Sequence, residues 1–271
     1  MTLRRKPGLA MAQRTFFGTF RIALLLAVLA FVALGAWLDH ARSTDWDGTL
    51  RVTVYPVAVT RDADTRSYVA GLDGASFDDT ENFFAEQAAQ YGIALDEPIR
   101  IRVSTAAPGM PPAPPAAPGP FSVAIWSLRL RYWAARVAAR DPLPTPDIQV
   151  FALYHAASGT PAVPDSLGLS KGLMAVTHLY ASPSAAGSNQ VVLAHELLHT
   201  LGATDKYDPA TGQPFEPAGL GDPEQEPRYP QATGELMAGR LAISPREAVV
   251  PDNLGQMVVG ALTAREIGWV R

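Results

Sequence analysis

An α+β fold is predicted from three features of the sequence. Strand-like runs rich in β-branched residues alternate with helix-like runs before about residue 188, helix or loop dominates after that region, and no internal repeat is present. This order suggests a small mixed α/β unit followed by an irregular second lobe. At 271 residues with 48% hydrophobic and 18% charged side chains, the chain can bury a core and is unlike a disordered segment. A net charge of -4 offers no general field for nucleic acid, so a nucleic-acid partner is not expected. The absence of cysteine excludes disulfide frameworks, thiolate metal sites and cysteine nucleophiles, leaving His, Asp and Glu as the strong metal donors.

The N-terminus reads as a membrane element. Residues 1–21 form a basic segment with Arg4, Arg5, Lys6, Arg14 and Arg21 and no acid, and 22–38 (IALLLAVLAFVALGAWL) is an uncharged run near the lower limit for a helix crossing a bilayer. Asp39, Asp45 and Asp47 follow it, so the positive-inside bias puts the N-terminus in the cytoplasm and the body outside, periplasmic or extracellular. A signal peptide cleaved near Ala33-Leu34-Gly35 would give a secreted protein instead. The apolar run exceeds the usual signal core of about 7–15 residues, which favours a single-pass anchor over a signal. Beyond the first five bases, 17 cations face 26 acids, about -9, and such a body is not expected to cling to anionic lipid by its overall charge.

Residues 39–48 read as a polar linker, with the main domain over 49–271. Leu50 to Val59 alternates and predicts a strand, Phe77 to Tyr91 an acid-started helix, and Ile99 to Val103 a short strand. Seven of the thirteen residues from Pro108 to Pro120 are proline, which predicts a polyproline-type surface spacer, with an SH3-type ligand as the lesser reading. Phe121 to Arg140 predicts a helix whose Ile125, Leu128, Trp133 and Val137 line an apolar stripe. Its arginines and aromatics would suit a membrane surface, but packing on a sheet is the default expectation. Ile148 to His155 and Gly172 to Ala181 predict strands, the second edge-like because polar residues interrupt it.

Ser188 to Leu201 (SNQVVLAHELLHTL) predicts a helix capped by Ser188 or Asn189 and stopped at Gly202. His195 and His199, four apart, project from one face, where two ring nitrogens can converge on one ion. Glu196 lies one step round the helix, beside the pair, as a carboxylate that takes a proton from a metal-activated water must. A catalytic zinc ordinarily has three protein ligands and an open position. Gly202 would let the chain turn sharply and return Asp205 towards the ion, while Asp208 nearby and Glu247 or Glu266 further on are rival third ligands.

Taken together, His195, Glu196, His199, Gly202 and Asp205 give H-E-x-x-H-x-x-G-x-x-D, which resembles the metzincin metallopeptidases, with Asp in place of their usual third His as in the snapalysin branch. Met237 in Glu235-Leu236-Met237-Ala238-Gly239 matches the methionine turn that metzincins carry beneath the metal. The resemblance spans roughly Val191 to Gly239. It implies a two-lobed domain with a mixed sheet and an active-site helix, one catalytic Zn2+ on His195, His199 and Asp205, Glu196 as general base on zinc-bound water, and a peptide or protein substrate. Some metzincins stabilise the oxyanion with a tyrosine just after the methionine turn. Position 239 is Gly here, so Tyr207 and Tyr229 are the candidates, each with a plain structural reading beside it. His178 falls on the strand where substrates of the family add, although a strand histidine is usually half-buried filler, and His155 and His40 carry no role. A zinc endopeptidase is the expected function. The alternative is a non-catalytic, zinc-stabilised anchored binding module, and retention of Glu196 weighs against it because a structural ion needs no adjacent base.

Overall fold

The computed structural model describes residues 21–22, 26–27, 44–60, 62–106, 108–117, 119–157, 166–169 and 173–270. Apart from Ile22, Leu26 and Ala27, the expected anchor at 22–38 lies outside them, as does His40. Among the described residues no helix is long and apolar enough to cross a membrane.

The fold is mixed α/β around a five-stranded sheet. Its strands are β1 (Leu50–Ala58), β2 (Ile99–Val103), β3 (Ile148–Ala156), β4 (Leu167–Leu169) and β5 (Met174–Ala181), in the order β2-β1-β3-β5-β4. Every pair is parallel except β4 with β5. The helices are α1 (Ala63–Ala70), α2 (Asp78–Gln90), α3 (Pro120–Ala138), α4 (Ala186–Thr200) and α5 (Ala261–Glu266). Beyond α4 come turns and two small ribbons, β6 (Gly234–Glu235) with β9 (Met257–Val258), and β7 (Leu241–Ser244) with β8 (Glu247–Val249).

The central strands are apolar on both faces because each face is covered, as parallel pairing requires. Val52, Val54, Ile148, Val150, Ala152 and Ala175 pack towards α2, α4 and the C-terminal segment. Tyr55, Phe151, Leu153, Met174 and Val176 pack towards α3. The pleat alternates these two sets along each strand.

Four expectations are corrected. The Gly172 to Ala181 strand is edge-like only in part, since β3 pairs along one side of it and β4 covers the other side at Met174–Val176, leaving Thr177–Ala181 without a strand beyond it among the described residues. His178 and Tyr180 of this uncovered part line a cleft. Helix α3 forms, but it buries Leu130, Ala134 and Val137, with Trp126 and Trp133 partly covered, and leaves Ile125 and Leu128 exposed. The helix carries two apolar stripes, and the one holding both tryptophans is buried, with the Trp133 ring packed at a tilt on Phe151, centroids 4.5 Å apart. Residues 39–48 are not all linker: Trp46 is buried, donates its indole N–H to the Ile267 carbonyl at 2.7 Å and packs edge-on against Trp269. Finally, α4 begins at Ala186, so Ser188 and Asn189 lie inside it and do not cap it. The Asn189 amide instead pairs with the backbone N–H and C=O of Tyr180, at 3.0 and 2.8 Å, pinning α4 to β5.

Candidate metal centre

Apolar side chains at Val191, Leu193, Ala194, Leu197 and Leu198 bury α4 in the core, which orients the remaining face carrying His195 and His199. The helix ends as Gly202 implies. Gly202 has φ +104°, its N–H bonds the His199 carbonyl, and Ala203 N–H bonds the Leu198 carbonyl, the paired bonds of a Schellman stop. The left-handed backbone at Gly202 throws the chain back across the helix end. Asp205 Oδ1 thereby lies 3.0 Å from His199 Nε2 and 3.2 Å from His195 Nε2.

Both imidazoles are held from behind. His195 Nδ1 is 2.9 Å from the Leu236 carbonyl and His199 Nδ1 is 2.9 Å from the Ala203 carbonyl. A carbonyl only accepts, so each Nδ1 carries the hydrogen and each Nε2 turns its lone pair inward when the ring is neutral. Burial makes ionisation of His199 harder, but the Asp205 carboxylate and the Ala203 carbonyl outweigh it and raise its pKa. Burial would likewise raise Asp205, yet the hydrogen bonds that the Nε2–H groups of His195 and His199 give it when the rings are protonated hold it well below the usual carboxylate range. Asp205 is therefore an anion facing two imidazoles.

His195, Glu196 and His199 form a group that could hold a metal ion, their donor atoms lying within 4.8 Å of one another. Asp205 adds an oxygen at the spacing expected of donors sharing one ion, since bonds of about 2.0–2.1 Å at tetrahedral angles separate ligand atoms by roughly 3.3 Å. Two imidazole nitrogens and a carboxylate oxygen, with no thiolate, form a donor set that suits zinc.

No family model and no curated protein matches this chain. The metzincin resemblance thus rests on the motif residues themselves.

Met237 is fully buried in the short 3-10 turn Leu236–Ala238 beneath the histidines, and its carbonyl accepts the Lys206 N–H at 2.9 Å. Glu235, buried under this turn, accepts from Ala238 N–H at 3.0 Å, Thr263 Oγ1 at 2.6 Å and Gly260 N–H at 3.2 Å. Burial pushes its carboxyl above the ordinary value. At the other end of α5, Glu266 accepts from Lys206 Nζ at 2.7 Å and from the Thr204 amide and hydroxyl. Helix α5 therefore braces both the turn under the histidines and the loop that carries Asp205. Sequence reading offered Glu266 only as a rival ligand, and no local pattern signals a brace 62 residues away from Thr204.

The rivals lie elsewhere. Asp208 caps its own loop through Ala210 N–H and Thr211 Oγ1, and Glu247 is exposed on β8. The Tyr229 hydroxyl donates to Glu216. Tyr207 lines the cleft with His195 and Glu196, so the structure brings one of the two tyrosines to the site.

That cleft has a volume of about 660 Å3. His178 also lines it, its Nδ1 2.8 Å from Nε2 of His155, and burial holds His155 below the usual histidine pKa. His155, given no role from sequence, thus backs a cleft residue, and two histidines 23 apart gave no signal of meeting. Arg240, just past the methionine turn, is the permanently charged cation among the described lining residues. A cavity of about 650 Å3 among Tyr68, Phe77 and Tyr154 has no histidine in its lining, so donor chemistry and not volume marks the site.

Disrupting the brace gives a stability prediction. Glu266→Gln leaves the Lys206 ammonium, whose side chain is 4% exposed, without its carboxylate, at an expected cost of about 3 kcal/mol in denaturant unfolding, the low end for a broken buried pair because Glu266 keeps 22% exposure. Burial would raise Glu266, but Lys206 and Thr204 outweigh it and lower its pKa. Stabilisation from this pair should then be full above the unfolded carboxylate pKa, about 4.3, and fade as pH falls through the lower folded value. A variant as stable as wild type near neutral pH would remove the brace from the account.

Proposed function

We propose that the chain is a metzincin-like zinc endopeptidase. The observation that carries this reading is the convergence of Asp205 Oδ1 on His195 Nε2 and His199 Nε2 at 3.0–3.2 Å, with Glu196 beside the two histidines and lining, with His195, a cleft of about 660 Å3. His195, His199 and Asp205 would hold the ion. Zinc bound there would supply Lewis acidity to a carbonyl and to water. Glu196, 5% exposed, is placed to accept a proton as water adds to the scissile carbonyl carbon, and then to deliver that proton to the departing amine nitrogen as the C–N bond breaks. Tyr207, which lines the cleft, would be the tyrosine to hold the oxyanion, and the buried Met237 would form the floor.

The basic segment and apolar run at 1–38 support an outward-facing enzyme held at the cytoplasmic membrane, acting on peptides or proteins there. Elemental analysis of the purified full chain should find one zinc, and a peptide library should be cleaved internally, with a chelator abolishing cleavage and added zinc restoring it. Stoichiometric zinc with every peptide intact would favour the non-catalytic binding module.

A further inference from the structure

Helix α3 covers one face of the sheet with its Leu130, Ala134 and Val137 side and turns a second apolar stripe to solvent. Phe121, Ile125, Leu128 and Tyr132 are 84%, 59%, 68% and 65% exposed. At about 100° per residue these positions fall within roughly 60° of one another, opposite the buried side. They make a continuous ridge, which the side chains of a soluble surface ordinarily break up. Arg129 and Arg136 are exposed along one flank, Arg131 lies on the other, and Arg140 is exposed just past the helix end. No Asp or Glu occurs from Pro98 to Arg140. Arg136 donates to the Tyr132 hydroxyl at 3.0 Å, holding a guanidinium at the margin of the ridge.

We infer that the outer face of α3 lies on an anionic lipid surface. An apolar ridge with cations on both flanks matches a bilayer interface, where the ridge enters the acyl boundary and the arginines extend to phosphate groups. A second copy fits less well, because a two-fold contact on this ridge would bring arginine flanks together with no acid on either helix to offset them. The overall negative charge of the body does not oppose this contact, since screening limits each charge to about 8–10 Å and the helix is locally cationic. Helix α4, which carries His195 and His199, packs on the opposite face of the sheet from α3. The contact is separate from the apolar run at 22–38 and does not depend on the metal site.

With no native cysteine, one label can be placed at Leu128→Cys on the full chain, and a control at the exposed Glu86→Cys on α2. An environment-sensitive dye at position 128 should shift to the blue and be quenched by nitroxide-bearing lipid in phosphatidylcholine vesicles containing phosphatidylglycerol. Position 86 should not respond, and the triple change Arg129→Gln, Arg136→Gln and Arg140→Gln should reverse the response at 128. The inference is overturned by an unresponsive label at 128, by equal quenching at 86, or by equal quenching in phosphatidylcholine alone. It is also overturned if the dye at 128 becomes buried without lipid while sedimentation shows a dimer, which would give the face to a second copy.

Discussion

Glu196→Gln is expected to retain one zinc per chain while peptide hydrolysis falls about 10²–10⁴-fold, the range spanned by a positioned general base. The separation follows from position. His195, His199 and Asp205 form a set of close donors without Glu196, whose carboxylate sits beside them and is nearly buried. Glutamine keeps the shape and hydrogen-bonding reach of the side chain but cannot accept and return a proton at neutral pH. Metal content by elemental analysis and single-turnover cleavage of a library-selected peptide measure the two effects independently. A variant that loses its zinc would make Glu196 a ligand, and one that cleaves at the wild-type rate would remove it from the chemistry.

Local determinants explain what the sequence made legible. The spacing of His195 and His199, the positive φ at Gly202 and the short reach to Asp205 all act within eleven residues, so the pattern could be read without the fold. Strands β1 and β2 were legible from alternation and β-branched residues, and β3 from its near-continuous apolar run, as a doubly covered parallel strand shows. What escaped depends on distant partners. The short strand β4, which covers the Met174–Val176 part of β5, is only three residues long, and helix α1, N-capped by Asp62, carries too little apolar periodicity to stand out. Helix α3 offered two apolar stripes, and only the position of Phe151 on β3 decides which is buried. The brace through Glu235, Thr263, Glu266 and Lys206 joins residues that read singly as ordinary surface polar groups.

The third ligand is the point on which the metal reading turns. Asp205→Ala should weaken zinc binding by more than the ~10–100-fold that losing an outer-shell partner costs, because it removes both a donor atom and the charge facing the two imidazoles. Asp208→Ala and Glu247→Ala should leave affinity nearly unchanged, since Asp208 is occupied by its own loop and Glu247 lies exposed on β8. Asp205→His discriminates further. Asp205 is 45% exposed, which leaves room for an imidazole, and the stop at Gly202 aims position 205 at the two Nε2 atoms whichever side chain it carries. Zinc should therefore be retained on three histidines, with part of the hydrolysis surviving, whereas Asp205→Ala should lose both. Chelator competition on the purified variants measures these affinities directly. Affinity indifferent to Asp205 but reduced by Asp208→Ala or Glu247→Ala would break the ligand set and, with it, the resemblance on which the proposed activity rests.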